Sequence, residues 1–152
     1  MKINDAAAVA RQYASETKLE ARRSLYEISE GPDPRETAFE AVAEIAPDRV
    51  VEVGGGPGEL AARIADEVGA RVTMFDISPR MVELARSRGV DAHVGDVQRL
   101  PLEDGSCDCA VAAWMLFHVP DLDRGLAELA RILRPGGRLV AVTNSVDHMR
   151  EL

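Results

Sequence analysis

RVVEVGGGPGEL, Arg49–Leu60, runs from a β-branched hydrophobic segment directly into a loop of four glycines and a proline, with a single acid, Glu52, inside the run. Residues without a Cβ let the chain turn sharply and let a ligand approach the backbone within van der Waals distance. The helical pattern ELAARIADEVG (59–69) follows at once and offers free N–H groups at its start. The stretch therefore reads as strand, ligand loop and helix.

Outward from this unit the alternation repeats. Further β-rich runs are RVTMFD (71–76), DAHVGD (91–96), CDCAVAAWM (107–115) and GRLVAVTN (137–144). Between them lie SPRMVELARSRG, with Ser78 as cap and Pro79 just inside, and DLDRGLAELARILRPGG, capped by Asp121 and stopped by Pro135, Gly136 and Gly137. Strand and helix alternating in this way predict an α/β fold, a doubly wound, mostly parallel sheet with helices on both faces. Upstream, Asp33, Pro34 and Glu36 mark a helix start with a capping box, ending near Ile45. Val9, Tyr13, Leu19, Leu25 and Tyr26 give one or two amphipathic helices before it. The expected organisation is one domain over 1–152, with N-terminal helices to 46 and the core over 47–145.

The 152 residues suffice for one sizeable core. A net charge of -8 without a basic block speaks against a nucleic-acid partner, and a small or neutral partner fits better. No segment approaches the ~20 apolar residues that span a bilayer, and none has the pattern of a signal peptide, so a cytoplasmic location and no membrane partner are expected. Cys107 and Cys109 are too close for an ordinary disulfide and too few for structural zinc; they read as small residues on one face of a strand. No metal-ligand spacing is present, so no metal is expected.

The loop's frame bears on its ligand. A dinucleotide fingerprint fails when counted from Gly54, where Glu59 takes the sixth position, but fits from Gly56, where Ala61 does. A nicotinamide oxidoreductase thus stays open, although that frame leaves Gly54, Gly55 and Glu52 without a role. A phosphate-binding P-loop fails for want of a Lys-Ser or Lys-Thr pair. E-x-G-x-G-x-G, Glu52 to Gly58, uses every special residue, and an acid beside the loop suits a cation better than a pyrophosphate.

With VEVGGGPG, MFDISPRMVELAR and the run from GDVQRLPLEDGS to VAVTNS in order, the chain resembles the class I S-adenosylmethionine-dependent methyltransferases of the small-molecule type, over roughly residues 48–145. The resemblance implies a Rossmann-like sheet of order 3-2-1-4-5 and S-adenosylmethionine as cofactor. It implies that Gly54, Gly56 and Gly58 form the cradle and that Glu52 lies by the methionine ammonium, the other reading being a strand acid paired with an arginine. Asp76 would accept both ribose hydroxyls, a role that NAD would give it equally. Ile77 and Met81 would pack on the adenine, Met81 also fitting the core. Asp96 would bond the adenine amino group and the Val97 N–H would read the ring, although Asp96 also fits a turn. Ala113 and Trp114 would reach the sulfonium region, with Trp114 either facing the cation or roofing the core. His118 would be a general base or a residue that fixes its loop.

Tyr13 and Arg22 resemble lid residues that close on the cofactor's carboxylate end, or else belong to an ordinary surface helix. The implied reaction is in-line transfer of a methyl group to a small-molecule acceptor. The family's sheet usually has seven strands, and only five are read here. The fifth then forms a hydrophobic edge, which a second copy of the chain would cover as a homodimer unless the chain is truncated. A binding module without turnover is the alternative function.

Overall fold

The computed structural model describes residues 5–13 and 32–144. In chain order the elements are α1 (Ala6–Gln12), α2 (Pro34–Ile45), β1 (Arg49–Val53), α3 (Glu59–Arg63), β2 (Arg71–Asp76), α4 (Pro79–Ser87), β3 (Asp91–Val94), β4 (Cys107–Ala113), α5 (Leu122–Ile132) and β5 (Leu133–Val142). The five strands pair in parallel in the order β3-β2-β1-β4-β5, as the family resemblance implies.

Period-two burial explains the two faces. Val51 and Val53 of β1, with Phe75, Ala110 and Ala112, pack against Leu129 and Ile132 of α5. On the other face Val50 and Val111 meet Phe39 and Val42 of α2 and Ile64, while Met74 and Ala92 meet Ala61 of α3 and Val82 and Ala85 of α4. Helices on both sides explain why β1 and β4 are apolar almost throughout.

The caps follow the sequence. Asp33 accepts the Arg35 N–H with Pro34 in the first turn, Ser78 accepts from the Met81 N–H, and Asp121 accepts from the Arg124 N–H. Glu36 departs from the capping box: its carboxylate binds Arg63 at 2.7 Å, and that guanidinium lies 3.6 Å above the centre of the Phe39 ring. The helical run of 59–69 winds as an α-helix only to Arg63 and then as a wider π turn over Ile64–Val68.

Two expectations are corrected at the β4–β5 seam. α5 stops at Ile132, and β5 begins at Leu133, so Pro135, Gly136 and Gly137 lie inside the strand and not in a helix stop. The irregularity lies where Cys107 pairs with Leu133 but Cys109 pairs with Arg138. It also sends the two thiols to different sides, Cys107 to the α5 face and Cys109 to the α2 face, so they do not share one face. Burial pushes both thiols up, Cys107 to about 11 and Cys109 to about 12, as for inert core residues. β3 ends at Val94, two residues earlier than expected, because Asp96 enters a turn in which its carbonyl accepts the Arg99 N–H.

At the amino-terminal end of the sheet Asp108, 7% exposed, accepts the N–H groups of Asp48 at 2.9 Å and Arg49 at 2.7 Å. It joins the entry of β1 to β4. Asp108→Ala leaves those donors without their carboxylate and is expected to cost about 1–3 kcal/mol, read by urea unfolding. An unchanged midpoint would show that solvent replaces the carboxylate.

Candidate functional site

Because the strands are parallel and their registers match, with Val53 beside Phe75 and Asp76 beside Val94, their carboxyl ends share one rim. The glycine loop stands at its centre, in the position where open α/β sheets bind ligands. Gly54 has φ +64°, and a Cβ there would lie 2.6 Å from the Met115 Cβ. Gly56 has open space where its side chain would be. No described residue comes within 4 Å of that position.

Beneath the loop is Glu52, on the α2–α3 face of β1 and 2% exposed. A Cβ on Gly55 would come within 2.9 Å of its carboxyl carbon, so the acid lies directly under the backbone of the cradle. Among the described residues its Oε2 has no hydrogen-bond partner and no arginine pairs with it. Burial, helped by the Asp76 carboxylate and opposed by the Ala61 N–H, pushes its pKa up to about 8. A buried carboxyl with an unsatisfied oxygen lacks a donor or a cation.

Asp76 ends β2 and is 8% exposed. Its Oδ2 accepts the Gly56 N–H at 2.9 Å, and its Oδ1 accepts the Ser78 N–H at 2.8 Å. Burial raises its pKa, with those two N–H groups opposing. Each oxygen keeps a further lone pair for a ligand hydroxyl. Ile77 is half-buried, whereas Met81, at 1% exposed, belongs to the packing under α4.

On the β3 side, Asp96 is half-buried and Val97 is buried. Both Asp96 oxygens take hydrogen bonds from Gln98. On the β4 side Ala113 closes the strand and Trp114 turns the chain with φ +55°, its N–H donating to the Val142 carbonyl at 2.8 Å. That turn presses Met115 on Gly54 and leads into a 3₁₀ turn, Leu116–His118. The His118 Nε2 lies 2.9 Å from the Tyr13 hydroxyl, with the rings edge to face. Two residues assigned to different roles thus meet. Arg22 lies outside the described residues.

The sequence reading missed Met115 and Gln98. Spacing held a signal for Gln98, two residues after an Asp, where an Asx turn forms; Met115 had none. A cavity of about 320 Å³ lies at the opposite end of the strands, lined by Glu44, Asp108, Arg134 and Arg138 among others. Asp108 there is already committed to backbone N–H groups, and the loop geometry lies at the other rim.

Two carboxyls at the glycine loop, Glu52 and Asp76, with Asp96 beyond the end of the neighbouring β3, suit a ligand with an ammonium, hydroxyls and an amino group, and they oppose a pyrophosphate. The orphaned Glu52 oxygen and the open side of Gly56 fit such a molecule.

Comparison with known proteins agrees. Residues 51–141 match the family described as methyltransferase domain. A ubiquinone/menaquinone biosynthesis C-methyltransferase from Teredinibacter turnerae is 37% identical over 105 residues, 62% of this chain and 42% of that protein. A crystal structure from Thermotoga maritima, described as an SAM-dependent methyltransferase and possible histamine N-methyltransferase, superposes with a TM-score of 0.66 at 31% identity, over 82% of this chain and 56% of that one. A geranyl diphosphate methyltransferase solved in complex with GPP and sinefungin superposes with a TM-score of 0.65 at 25% identity, covering 71% of this chain and 45% of that one. The chain spans less than half the length of the curated relatives it matches.

Proposed function

Because the chain belongs to the methyltransferase-domain family, the class I S-adenosylmethionine-dependent enzymes, we propose that it transfers a methyl group from S-adenosylmethionine to a small-molecule acceptor by in-line displacement. The observation that carries the reading is the buried, half-satisfied carboxyl of Glu52 directly under an open glycine loop.

S-adenosylmethionine supplies a methyl group activated by a positive sulfur, so the protein needs no covalent nucleophile. Its own residues bind and orient. Glu52 faces the ammonium of the methionine part, Asp76 offers its spare lone pairs to the ribose hydroxyls, and Asp96 with the Val97 N–H reads the adenine beside Ile77. Gly54, Gly56 and Gly58 let the backbone come close, and Ala113 and Trp114 border the reacting sulfur. Alignment and exclusion of water then account for the rate. Tyr13 and His118 stand together; Tyr13 is the candidate for the cofactor's carboxylate end, and the imidazole beside it can hold a proton from an acceptor hydroxyl.

Calorimetric titration with S-adenosylmethionine and with NAD tests the reading. Tight binding of NAD without binding of the sulfonium would overturn it. Asp76→Ala is expected to weaken S-adenosylmethionine binding by about 1–3 kcal/mol through loss of charge-assisted bonds. Unchanged affinity would remove Asp76 from the ribose.

Among the described residues no helix is long and apolar enough to cross a membrane, and we place the reaction in the cytoplasm. β5 pairs on one side only among the described residues, with Leu139 38% exposed. A second copy covering this edge as a homodimer fits that geometry. Sedimentation at high concentration showing only monomer would count against it.

A further inference from the structure

The turn after β3 holds Asp96 with more bonds than a turn requires. An Asx turn needs only the Gln98 backbone N–H, which donates to Asp96 Oδ1 at 2.9 Å. The Gln98 side chain adds two more, its Nε2 standing 3.1 Å from Oδ1 and 2.9 Å from Oδ2. The other end of the same amide, Oε1, accepts the Asp121 N–H at 3.1 Å, at the cap of α5. The Gln98 carbonyl accepts from the Arg124 Nε at 2.9 Å, one turn into that helix. Turning the amide over would set its oxygen against a carboxylate and its NH2 against an N–H, so the network fixes its orientation.

A carboxylate has about four lone-pair sites. Gln98 occupies two on Oδ1 and one on Oδ2. Among the described residues one acceptor site remains free, on Oδ2, with the carboxylate plane locked.

We propose that Gln98 is the positioning residue that aims this single free acceptor of Asp96 at the ring amino group of the adenine, and so sets the preference for a 6-amino over a 6-oxo purine. The proposal rests on the reading of Asp96 as the adenine-binding acid. Gln98 itself need not touch the ligand. Its amide transmits the position of the α5 cap to the acid, so the base pocket and the segment that follows His118 are built on one hydrogen-bonded unit. A 6-oxo purine presents an acceptor to the remaining Oδ2 site and is rejected, provided the carboxylate cannot rotate to relieve the contact.

The test is the ratio of affinities for S-adenosylhomocysteine and S-inosylhomocysteine, measured on the whole chain for wild type, Asp96→Ala and Gln98→Ala. A loss of folding lowers both affinities alike and leaves the ratio unmoved. Wild type is expected to favour the adenine ligand, Asp96→Ala to lose the preference, and Gln98→Ala to reduce it roughly 10-fold. If Gln98→Ala is too unstable to titrate, Gln98→Glu keeps the acceptor for Asp121, sets a second carboxylate against Asp96, and lowers the ratio in the same direction. Full preference in the Gln98 variant beside its loss in Asp96→Ala overturns the positioning role alone. Full preference in Asp96→Ala overturns the reading of Asp96, and the proposal with it.

Discussion

Glu52→Gln is expected to give a protein that is more stable at neutral pH and holds S-adenosylmethionine less tightly. Burial moves the Glu52 carboxyl from 4.5 to about 8. The folded state thus prefers the protonated acid, and the sign follows. The group costs nothing below about pH 4.5, and the penalty of keeping it folded grows as pH rises toward 8. At pH 7 that penalty is about 3 kcal/mol. Gln removes it but brings an extra NH2 into the interior, so a net gain of about 1–2 kcal/mol remains.

Urea unfolding of both proteins at pH 4.5 and pH 8 measures the effect. The gain should be confined to the higher pH, and an equal gain at both would remove the proton as its cause. Binding should move oppositely, weakening by about 1.5–3 kcal/mol when the ammonium loses its charged partner. In the wild type, binding near pH 7 should release a proton, visible as a dependence of the calorimetric heat on the buffer.

The second large effect is structural. Gly58→Ala places a Cβ 2.7 Å from the Ala85 Cβ and 3.0 Å from the Ala85 Cα, at φ +78°. The neighbour is helix backbone, so α4 itself has to move. The left-handed conformation costs about 1–2 kcal/mol in a residue with a side chain, and overpacking adds about 1–3 kcal/mol. A loss of about 2–5 kcal/mol is a large part of the ~5–15 kcal/mol that stabilises a domain. Gly56→Ala separates the two causes, because its φ is +57° and no atom of the described residues lies within 4 Å of the added carbon. Comparable losses in thermal or urea unfolding would show that contact with α4 contributes nothing.

Much of this was legible in the sequence because local signals and tertiary demands agreed. β1 and β2 match their runs residue for residue, since each is a short β-rich apolar run with turn or charged residues marking both ends. β5 was misread for the converse reason. Pro135, Gly136 and Gly137 carry the local signature of a helix stop, yet the pairing with β4 draws the strand back to Leu133 and takes the irregularity into the sheet. That pairing is nonlocal, so no window on β5 alone contains it. The placement of Glu52, Asp76 and Asp96 at or near strand ends could be read from the motif. Gln98 and the meeting of Tyr13 with His118 could not, because one depends on the α5 cap and the other on contact across 105 residues.

The shared rim has a further consequence for turnover. Asp76 and Asp96 stand at adjacent strand ends, so the mouth of the site is a region of negative potential, to which the buried Glu52 adds once it gives up its proton. In the proposed reaction a sulfonium donor would enter along that field, and loss of its methyl group would leave a neutral thioether. That change would cancel part of the attraction that held the ligand in place. The carboxylates would then favour exchange of spent cofactor for fresh, most strongly at low ionic strength where the field is least screened.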